Sequence, residues 1–327
     1  MKTTSLTEYS NLLLTIYRQA QELPVHEFQD CILSAIKPSL PFDSSMWGTA
    51  RMTDQGIDIH SLHLHNTTQA MIDAYEKVKH LDKAAMRVTQ TPTATIAFNT
   101  GTDFPGAEMD SYREFLHKFR HENMLITSDI HPVTRFAQWV SLYRADPRQV
   151  CTAQETELLA CLAPHLMQAL AINRLVHLDR LTGDTAREKW AVAIADSRGV
   201  VYHADPRFRQ LLRSEWRMDS GEERLPQALL ERLLAEDSQL TGERVVLRRS
   251  LERGLLFLKA RAREDVDNLS AREFLIARLL VSGLTQKEVA ARLDRSPETV
   301  RSHVKGIFDK LDINNVAMLA PMLALRE

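Results

Sequence analysis

The sequence is poor in the residues that mark secreted, fibrous and membrane proteins. Its three cysteines among 327 residues are too few and too scattered for a disulfide framework, which favours a reducing environment. Eleven glycines and twelve prolines exclude a collagen-like or low-complexity chain. No run approaches the ~18 apolar residues of a membrane span, and the N-terminus has no signal-peptide pattern. We therefore expect a cytoplasmic protein without a membrane partner and, from its length, two or three domains.

The charges are nearly balanced along the chain. Forty-one basic and 43 acidic residues give a formal net charge of −2, so the whole chain is not a polycation. Residues 267–327 contain nine Lys or Arg and eight Asp or Glu, a net charge of +1. Any affinity for nucleic acid must therefore come from the placement of a few cations rather than from bulk charge.

The C-terminal segment carries the clearest pattern, a series of short helices with marked beginnings. A hydroxyl side chain followed three residues later by glutamate forms a capping box, and proline is favoured at the first helical position. Gly283 is suited to end the first of these helices. The three start signals are Ser270 with Glu273, Thr285 with Glu288, and Ser296 with Pro297.

Cations lie on the polar side of the third helix. Val300, Val304 and Ile307 form its apolar stripe, and Arg301, Ser302 and Lys305 fall opposite. This arrangement is typical of a helix-turn-helix whose last helix contacts base edges in the major groove. An amphipathic bundle with a solvated charged face has the same periodicity. Side chains that could hold phosphates are Thr285, Gln286, Lys287, Thr299, His303 and Lys310.

Residues 269–313 resemble the LuxR/FixJ/GerE-type DNA-binding domain almost throughout. The resemblance implies four helices, base contacts from Arg301, Ser302 and Lys305, and pairing through the last helix by Val316, Leu319 and Leu323. The chain departs from the family after Ile313, where Asn314–Asn315 replace the usual residues and Pro321 is expected to interrupt the last helix. The matching positions are Leu269, Arg272, Glu273, Gly283, Thr285, Lys287, Glu288, Val289, Ala290, Leu293, Ser296, Thr299, Val300, Arg301, His303, Val304, Lys310 and Leu311.

The remainder of the chain predicts an α+β multidomain protein with two sensor-like regions. Residues 1–183 predict the order ααββααββα, which resembles a GAF-type sensor domain with helices around an antiparallel sheet. Residues 188–264 predict a strand, an Arg198–Gly199 turn, a second strand, a helix and a later hairpin, which resembles a short PAS domain. Residues 267–327 form the third predicted domain, the four-helix helix-turn-helix domain.

A sensor domain of this kind would enclose a pocket between its sheet and helices. Asp82 resembles the aspartate with which acyl-homoserine-lactone receptors hold a ligand amide, but Lys83 stands where those receptors carry proline. That departure argues against a homoserine lactone as the ligand. Aromatic residues on sheet faces more often belong to the core than to a pocket. The candidate pocket residues are Trp47, Asp82, Phe98, Phe136, Trp139 and Tyr143.

Histidines suggest a metal site that the sequence does not complete. His60, His63 and His65 share one predicted strand, and His117 and His121 are four apart on a predicted helix. Two side-by-side histidines can begin a zinc site, but no third ligand that would complete one is identifiable, so no metal or other cofactor is expected. Because the sequence shows no Gly-rich phosphate loop, nucleophile elbow or paired-carboxylate motif, we expect no enzymatic activity.

These patterns predict a one-component transcriptional regulator that binds DNA as a homodimer and responds to a small molecule. Two alternatives keep the DNA-binding end but change the input: a phosphorylated response regulator, or a regulator controlled by a partner protein without a small-molecule ligand. A receiver domain would begin with a strand and an acidic pair, whereas this chain begins with two predicted helices. A hydrolase or metal enzyme with purely structural C-terminal helices is a further alternative.

Overall fold

The computed structural model describes residues 5–53, 56–130, 136–182, 190–217, 224–235, 238–252 and 254–326. The chain forms two compact units, one built mainly from the residues up to Leu181 and the other mainly from those that follow. The predicted boundary between residues 188–264 and 267–327 falls inside the second unit. The division of that unit into a PAS-like domain and a helix-turn-helix domain therefore stays a prediction.

The first unit is a five-stranded antiparallel sheet covered by helices. The strands follow the order β2-β1-β5-β4-β3 across the sheet. They are β1 (Ser44–Thr53), β2 (Gly56–His65), β3 (Thr95–Asn99), β4 (Asn123–Ile130) and β5 (Phe136–Arg144). The helices are α1 (Leu6–Glu22), α2 (Val25–Ile36), α3 (Gln69–Tyr75), α4 (Lys83–Gln90), α5 (Thr100–Asp103), α6 (Asp110–Lys118) and α7 (Ala153–Thr182).

Three of these elements, α4, α5 and β3, are missing from the predicted order ααββααββα, and α5 is only four residues long. Helix α4 begins at Asp82, whose side chain accepts a hydrogen bond from the Ala85 N–H at 2.8 Å. An aspartate directly before a short helix is a weak sequence signal, because such side chains also occur in turns. Strand β3 has five residues and no strict alternation in burial. The predicted helices at 68–80 and 108–123 are shorter in the structure, where each is partly a 3₁₀ helix.

A register shift in the β1–β2 pair reverses the faces of β2. Thr49 faces Ser61, whereas the next residue, Ala50, faces Ile59. Sequence alternation predicts that Ile57, Ile59, His63 and His65 share one face. The structure contradicts this, because the shift changes which residues point to each side of the sheet. Ile57 and Ile59 lie on the side of α4 and α6, and His63 and His65 lie beside α2.

One side of the sheet packs against α1, α2 and α7. Trp47 of β1 is buried there against Phe28 of α2, with ring centroids 6.3 Å apart. Thr152 and Glu155 form a capping box at the start of α7, and Glu155 also accepts two hydrogen bonds from the Arg144 guanidinium, at 2.6 and 3.2 Å. Both charged side chains are buried, so removing either would leave its partner as a buried charge without a counter-ion.

Helix α7 is also long and apolar enough to cross a membrane on length and composition alone, over Ala153–Arg180. Only part of its most apolar stretch, 44%, is buried. Four of its buried leucines belong to the same core cluster as α1, α2 and the sheet, and a core helix of this kind passes the same test. They are Leu159, Leu162, Leu166 and Leu170.

The second unit contains another five-stranded sheet, in the order β7-β6-β10-β9-β8. The predicted hairpin turn is present, with Gly199 at φ +83°, a conformation that glycine adopts without a steric penalty. The strands are β6 (Ala191–Asp196), β7 (Val201–Ala204), β8 (Gln239–Thr241), β9 (Val245–Glu252) and β10 (Leu255–Ala262). The helices beside them are α8 (Pro206–Glu215) and α9 (Gln227–Ala235). Sequence patterns did not predict α9 or β8.

A buried ion pair joins this sheet to the helices that follow. The Arg261 guanidinium at the end of β10 donates two hydrogen bonds of 2.6 Å to the Asp267 carboxylate, and it also lies over the Trp190 ring. Asp267 belongs to a 3₁₀ helix, Asp265–Asn268, whose Val266 is buried in the core of the C-terminal helices. The connection between sheet and helices is therefore packed rather than a solvated linker.

Four helices complete the unit: α10 (Ala271–Val281), α11 (Gln286–Arg292), α12 (Pro297–Leu311) and α13 (Leu319–Arg326). Their predicted starts are confirmed, because Ser270, Thr285 and Ser296 each accept a hydrogen bond from the backbone N–H three residues later. After α10 the Gly283 and Leu284 N–H groups return to the Leu280 and Leu279 carbonyls, with Gly283 at φ +92°. Pro321 does not interrupt the last helix as expected. It lies in the first turn of α13, where its missing N–H would have no intrahelical acceptor.

Candidate nucleic-acid interface and ligand cavity

The predicted base-contacting residues lie together on α12. Arg301, Ser302 and Lys305 are exposed, whereas Val300, Val304 and Ile307 of the same helix are buried in the domain core. Among the described residues, Arg301 and Lys305 form no ion pair that would occupy their charges. The exposed face of α12 thus presents two cations and a hydroxyl group, which are the donor types that base edges and phosphates accept.

A tight turn sets the angle between α11 and α12. Asp294 adopts φ +49° in this turn, and the Arg295 N–H donates to the Ala290 carbonyl at 2.9 Å. Aspartate adopts the left-handed conformation more readily than most residues, because its short polar side chain can hydrogen-bond to the nearby backbone. Ser296 then accepts from the Thr299 N–H at 3.1 Å and starts α12. The local sequence therefore fixes how α12 leaves the turn.

The predicted phosphate-binding residues fall into two groups in the structure. Lys287 and Thr299 are exposed at the starts of α11 and α12, and Gln286 and His303 are half-buried. Thr285 is exposed, but its hydroxyl donates to the Glu288 carboxylate at 2.7 Å, within the capping box. Hydrogen bonds from the Thr285 backbone and side chain hold the pKa of Glu288 below its usual range.

Lys310 has a structural partner. Its Nζ donates to the Glu273 carboxylate at 2.7 Å and thereby ties α12 to α10. Desolvation alone would raise the pKa of Glu273, but the hydrogen bonds from Lys310 and Ser270 outweigh it and lower that pKa. The structure thus places Lys310 in the support of α12, and any phosphate contact would compete with this pair.

The residues predicted for pairing do not share one surface. Leu319 and Leu323 are 0 and 4% exposed, because they pack into the core formed by α10, α12 and α13. Only Val316 of the three is exposed, at 37%, beside exposed Met318. Leu319 and Leu323 would have to leave their own domain in order to pair with a second chain.

The first unit encloses a cavity on the sheet face opposite α1, α2 and α7. Helices α3, α4 and α6 cover this face and leave a cavity of about 90 Å³ that opens to solvent. Three of the six predicted pocket residues line it: Asp82, Trp139 and Tyr143. Of the others, Trp47 lies in the opposite core and Phe98 stacks on Phe104 outside the lining. Phe136 lies in β5, but its side chain is outside the described residues.

Asp82 is the polar centre of the cavity. Its carboxylate accepts hydrogen bonds of 2.8 Å from the hydroxyls of Tyr75 and Tyr112 and caps α4 through Ala85. Burial, followed by the nearby charge of Asp82, raises the pKa of both tyrosines well above the usual value. The tyrosines therefore stay protonated and act as donors. Sequence reasoning missed both, because their pairing with Asp82 depends on α4.

His121 contributes a second polar group to the lining. Its ring stacks on Tyr143 with centroids 3.7 Å apart, and burial lowers its pKa to about 3, so the ring is neutral at physiological pH. Its Nε2 is buried and has no hydrogen-bond partner among the described residues. The other member of the predicted helical pair, His117, instead contacts Glu122 at 2.8 Å. The structure does not bring these two histidines together as metal ligands.

Gly48 makes room for the indole of Trp139. These residues face each other across β1 and β5, and a Cβ atom at Gly48 would lie 2.6 Å from the Trp139 ring and 2.5 Å from the Ser61 carbonyl oxygen. A side chain there would collide with both. The missing side chain therefore lets the indole lie close to the strand at the edge of the cavity.

Comparison with known proteins supports the C-terminal assignment. A family model described as bacterial regulatory proteins, luxR family, matches residues 267–323. A nitrate/nitrite response regulator homologue from Haemophilus influenzae is 33% identical over 92 residues, which are 28% of this chain and 41% of that protein. The chain thus spans about two fifths of that relative's length.

Two solved structures resemble the N-terminal half at low similarity. CepR2 from Burkholderia cenocepacia, described as an N-acylhomoserine-lactone-dependent LuxR-family transcription factor, has a TM-score of 0.40 at 18% identity and covers 54% of this chain and 99% of its own. A phycoerythrobilin-bound GAF domain from a cyanobacterial phytochrome has a TM-score of 0.36 at 12% identity and covers 52% of this chain and 96% of its own. On the family match and the helix geometry, residues 267–323 form a helix-turn-helix domain of the luxR family of bacterial regulatory proteins.

Proposed function

We propose that the protein is a transcriptional regulator that binds specific double-stranded DNA through α12. The observation that carries this proposal is the exposure of Arg301, Ser302 and Lys305 on one face of α12, directly after the turn of a luxR-family domain. A good bidentate contact between arginine and guanine discriminates against other bases by ~1–3 kcal/mol. With a local net charge near zero, specificity would come from these contacts rather than from bulk attraction to phosphates.

We also propose that the protein binds its operator as a homodimer in the cytoplasm. Two recognition helices can read two half-sites about one helical turn apart, which is the usual geometry of helix-turn-helix dimers. Because Leu319 and Leu323 are buried in their own domain, the pairing surface would use exposed residues such as Val316 and Met318.

Arg301→Ala tests the DNA interface. The DNA is first selected from a random-sequence library with the unmodified protein. The variant should lose about 10–100-fold in affinity for the selected sequence, equivalent to ~1–3 kcal/mol, while its far-UV circular dichroism is unchanged. Lys77→Ala removes one exposed positive charge from the first unit and is the matched control, which should retain full affinity. Equal affinity of Arg301→Ala and the control would refute the assignment.

The input proposed for the regulator is a small molecule bound in the cavity. The lining is mostly apolar, with a few converging polar groups at Asp82 and His121, which is the composition of ligand pockets in general. A ligand could change DNA binding only by binding one conformation of the protein more tightly than another.

Trp139→Ala tests the cavity. Compounds that raise the melting temperature of the unmodified protein are first identified in a small-molecule panel. The variant should lose this stabilisation, because the indole forms one edge of the cavity, whereas Trp216→Ala in the second unit should retain it. Unchanged dose dependence in Trp139→Ala would place ligand binding elsewhere.

A further inference from the structure

The fold supplies the third ligand that the sequence lacked for its strand histidines. His63 and His65 are two residues apart on β2, so their side chains project to the same side of this strand. Asp30, more than thirty residues earlier on α2, lies beside both. Its Oδ1 is 2.9 Å from Nε2 of His63 and 2.7 Å from Nδ1 of His65. The three ligand atoms all lie within 4.8 Å of one another.

The donor set matches the chemistry of divalent transition metals. Two imidazoles and one carboxylate suit Zn²⁺, Co²⁺ and Ni²⁺, and three protein ligands leave a position for water. At metal–ligand bonds of about 2.0–2.2 Å, tetrahedral ligand atoms lie about 3.3 Å apart. The nitrogen–oxygen distances of 2.7 and 2.9 Å would therefore have to open by about half an ångström to admit an ion.

The surroundings hold the ligands and leave an entrance. The side chains of His63 and His65 are 11 and 12% exposed, and that of Asp30 is 51% exposed. The His65 ring packs edge-on against Phe42, with centroids 5.8 Å apart, which restricts its rotation. Packing thus restricts the His65 imidazole, while an ion can approach from the side of the half-exposed carboxylate.

We propose that Asp30, His63 and His65 bind one divalent transition-metal ion of the Zn²⁺ class. The ion would fasten the edge strand β2 to α2 on the side of the sheet away from the cavity. This site is independent of DNA binding and of the cavity, since none of its residues lies in the C-terminal helices or in the cavity lining.

The experiment uses the untagged full-length chain, titrated with Zn²⁺ by calorimetry and with Co²⁺ by absorption spectroscopy. Unmodified protein should bind one ion at this site, show the ligand-field bands of low-coordinate Co²⁺, and melt at a higher temperature with Zn²⁺. Asp30→Asn and His63→Ala should each weaken binding at least about tenfold, because losing supporting partners alone costs metal sites about 10–100-fold. Asp30→Asn keeps the shape of the side chain, so it separates ligand loss from misfolding.

His117→Ala is the matched control. It removes a histidine that also contacts a carboxylate, Glu122, and whose side chain is 52% exposed, so it should leave metal binding unchanged. The proposal is overturned if the unmodified protein binds no Zn²⁺ at millimolar concentration, or if Asp30→Asn and His63→Ala bind it as tightly as the control does.

Discussion

The two five-stranded sheets of this protein share one strand order but have different interiors. Numbered from its own first strand, each sheet runs 2-1-5-4-3. In the first unit the inner face contributes small residues to the cavity, among them Ala50, Ser128, Ala137 and Ser141. The same topology can therefore be combined with either an open or a filled interior.

In the second unit, branched aliphatic side chains fill the space between sheet and helices. The cluster combines alanines of β6 with leucines and valines from α9, β9 and β10. The cavity described in this unit lies at the end of β10, beside α8, and is bordered mainly by exposed polar residues such as Arg207 and Glu264. Side-chain volume at inward positions, rather than strand order, decides whether such a sheet holds a cavity.

The largest effect should come from truncating the filled interior. Leu258→Ala in β10 removes a fully buried side chain and should lower the free energy of unfolding by ~2–5 kcal/mol. Ile126→Ala in β4 should cost less than about 2 kcal/mol, because this half-buried side chain already borders the cavity. Urea unfolding, with hydrogen exchange to locate the affected unit, measures both. Equal losses of unfolding free energy at the two positions would contradict the difference between the two interiors.

Adding a side chain to the open interior should have the next largest effect on stability. Gly48→Ala should destabilise the first unit by ~1–3 kcal/mol, because the new methyl group meets the Trp139 ring and the Ser61 carbonyl. Trp139→Ala in the same chain should restore part of the loss, since the backbone contact remains. Gly306→Ala in α12 is the control, because its nearest new contact is at 3.6 Å. If Gly48→Ala left the stability unchanged, the edge of the cavity would have room for an added methyl group.

The smallest effect near neutral pH is a pH dependence confined to the first unit. The pKa of His121 is about 3 in the folded chain and ~6.5 when unfolded, so between these values the unfolded state binds the extra proton. Stability should fall as the pH drops below ~6.5, by up to ~1.4 kcal/mol per pH unit from this residue. His121→Phe keeps a ring beside Tyr143 and should flatten that slope, whereas His117→Gln should not. Identical slopes in both variants would assign the pH dependence to other groups.

Local signals were sufficient to predict the C-terminal helices and several turns. The hydroxyl caps at Ser270, Thr285 and Ser296 depend on atoms three residues away. The turn at Gly199 likewise depends only on residues close to it in the sequence. Such contacts follow from covalent geometry and short-range hydrogen bonding, so a sequence pattern predicts them. Arg301 and Lys305 were placed on the exposed side of α12 by the same logic, because the helical period sets the side of every residue.

Contacts between distant segments were beyond such patterns. The register shift in β2 moved His63 and His65 to the face where Asp30 lies, and the fold of α13 turned Leu319 and Leu323 inward. Tyr112 meets Asp82 across thirty residues. A slip of one residue in a strand exchanges its faces, and packing selects among the registers that the sequence permits. Which side chains meet across the core was therefore decided by the packing of the whole unit.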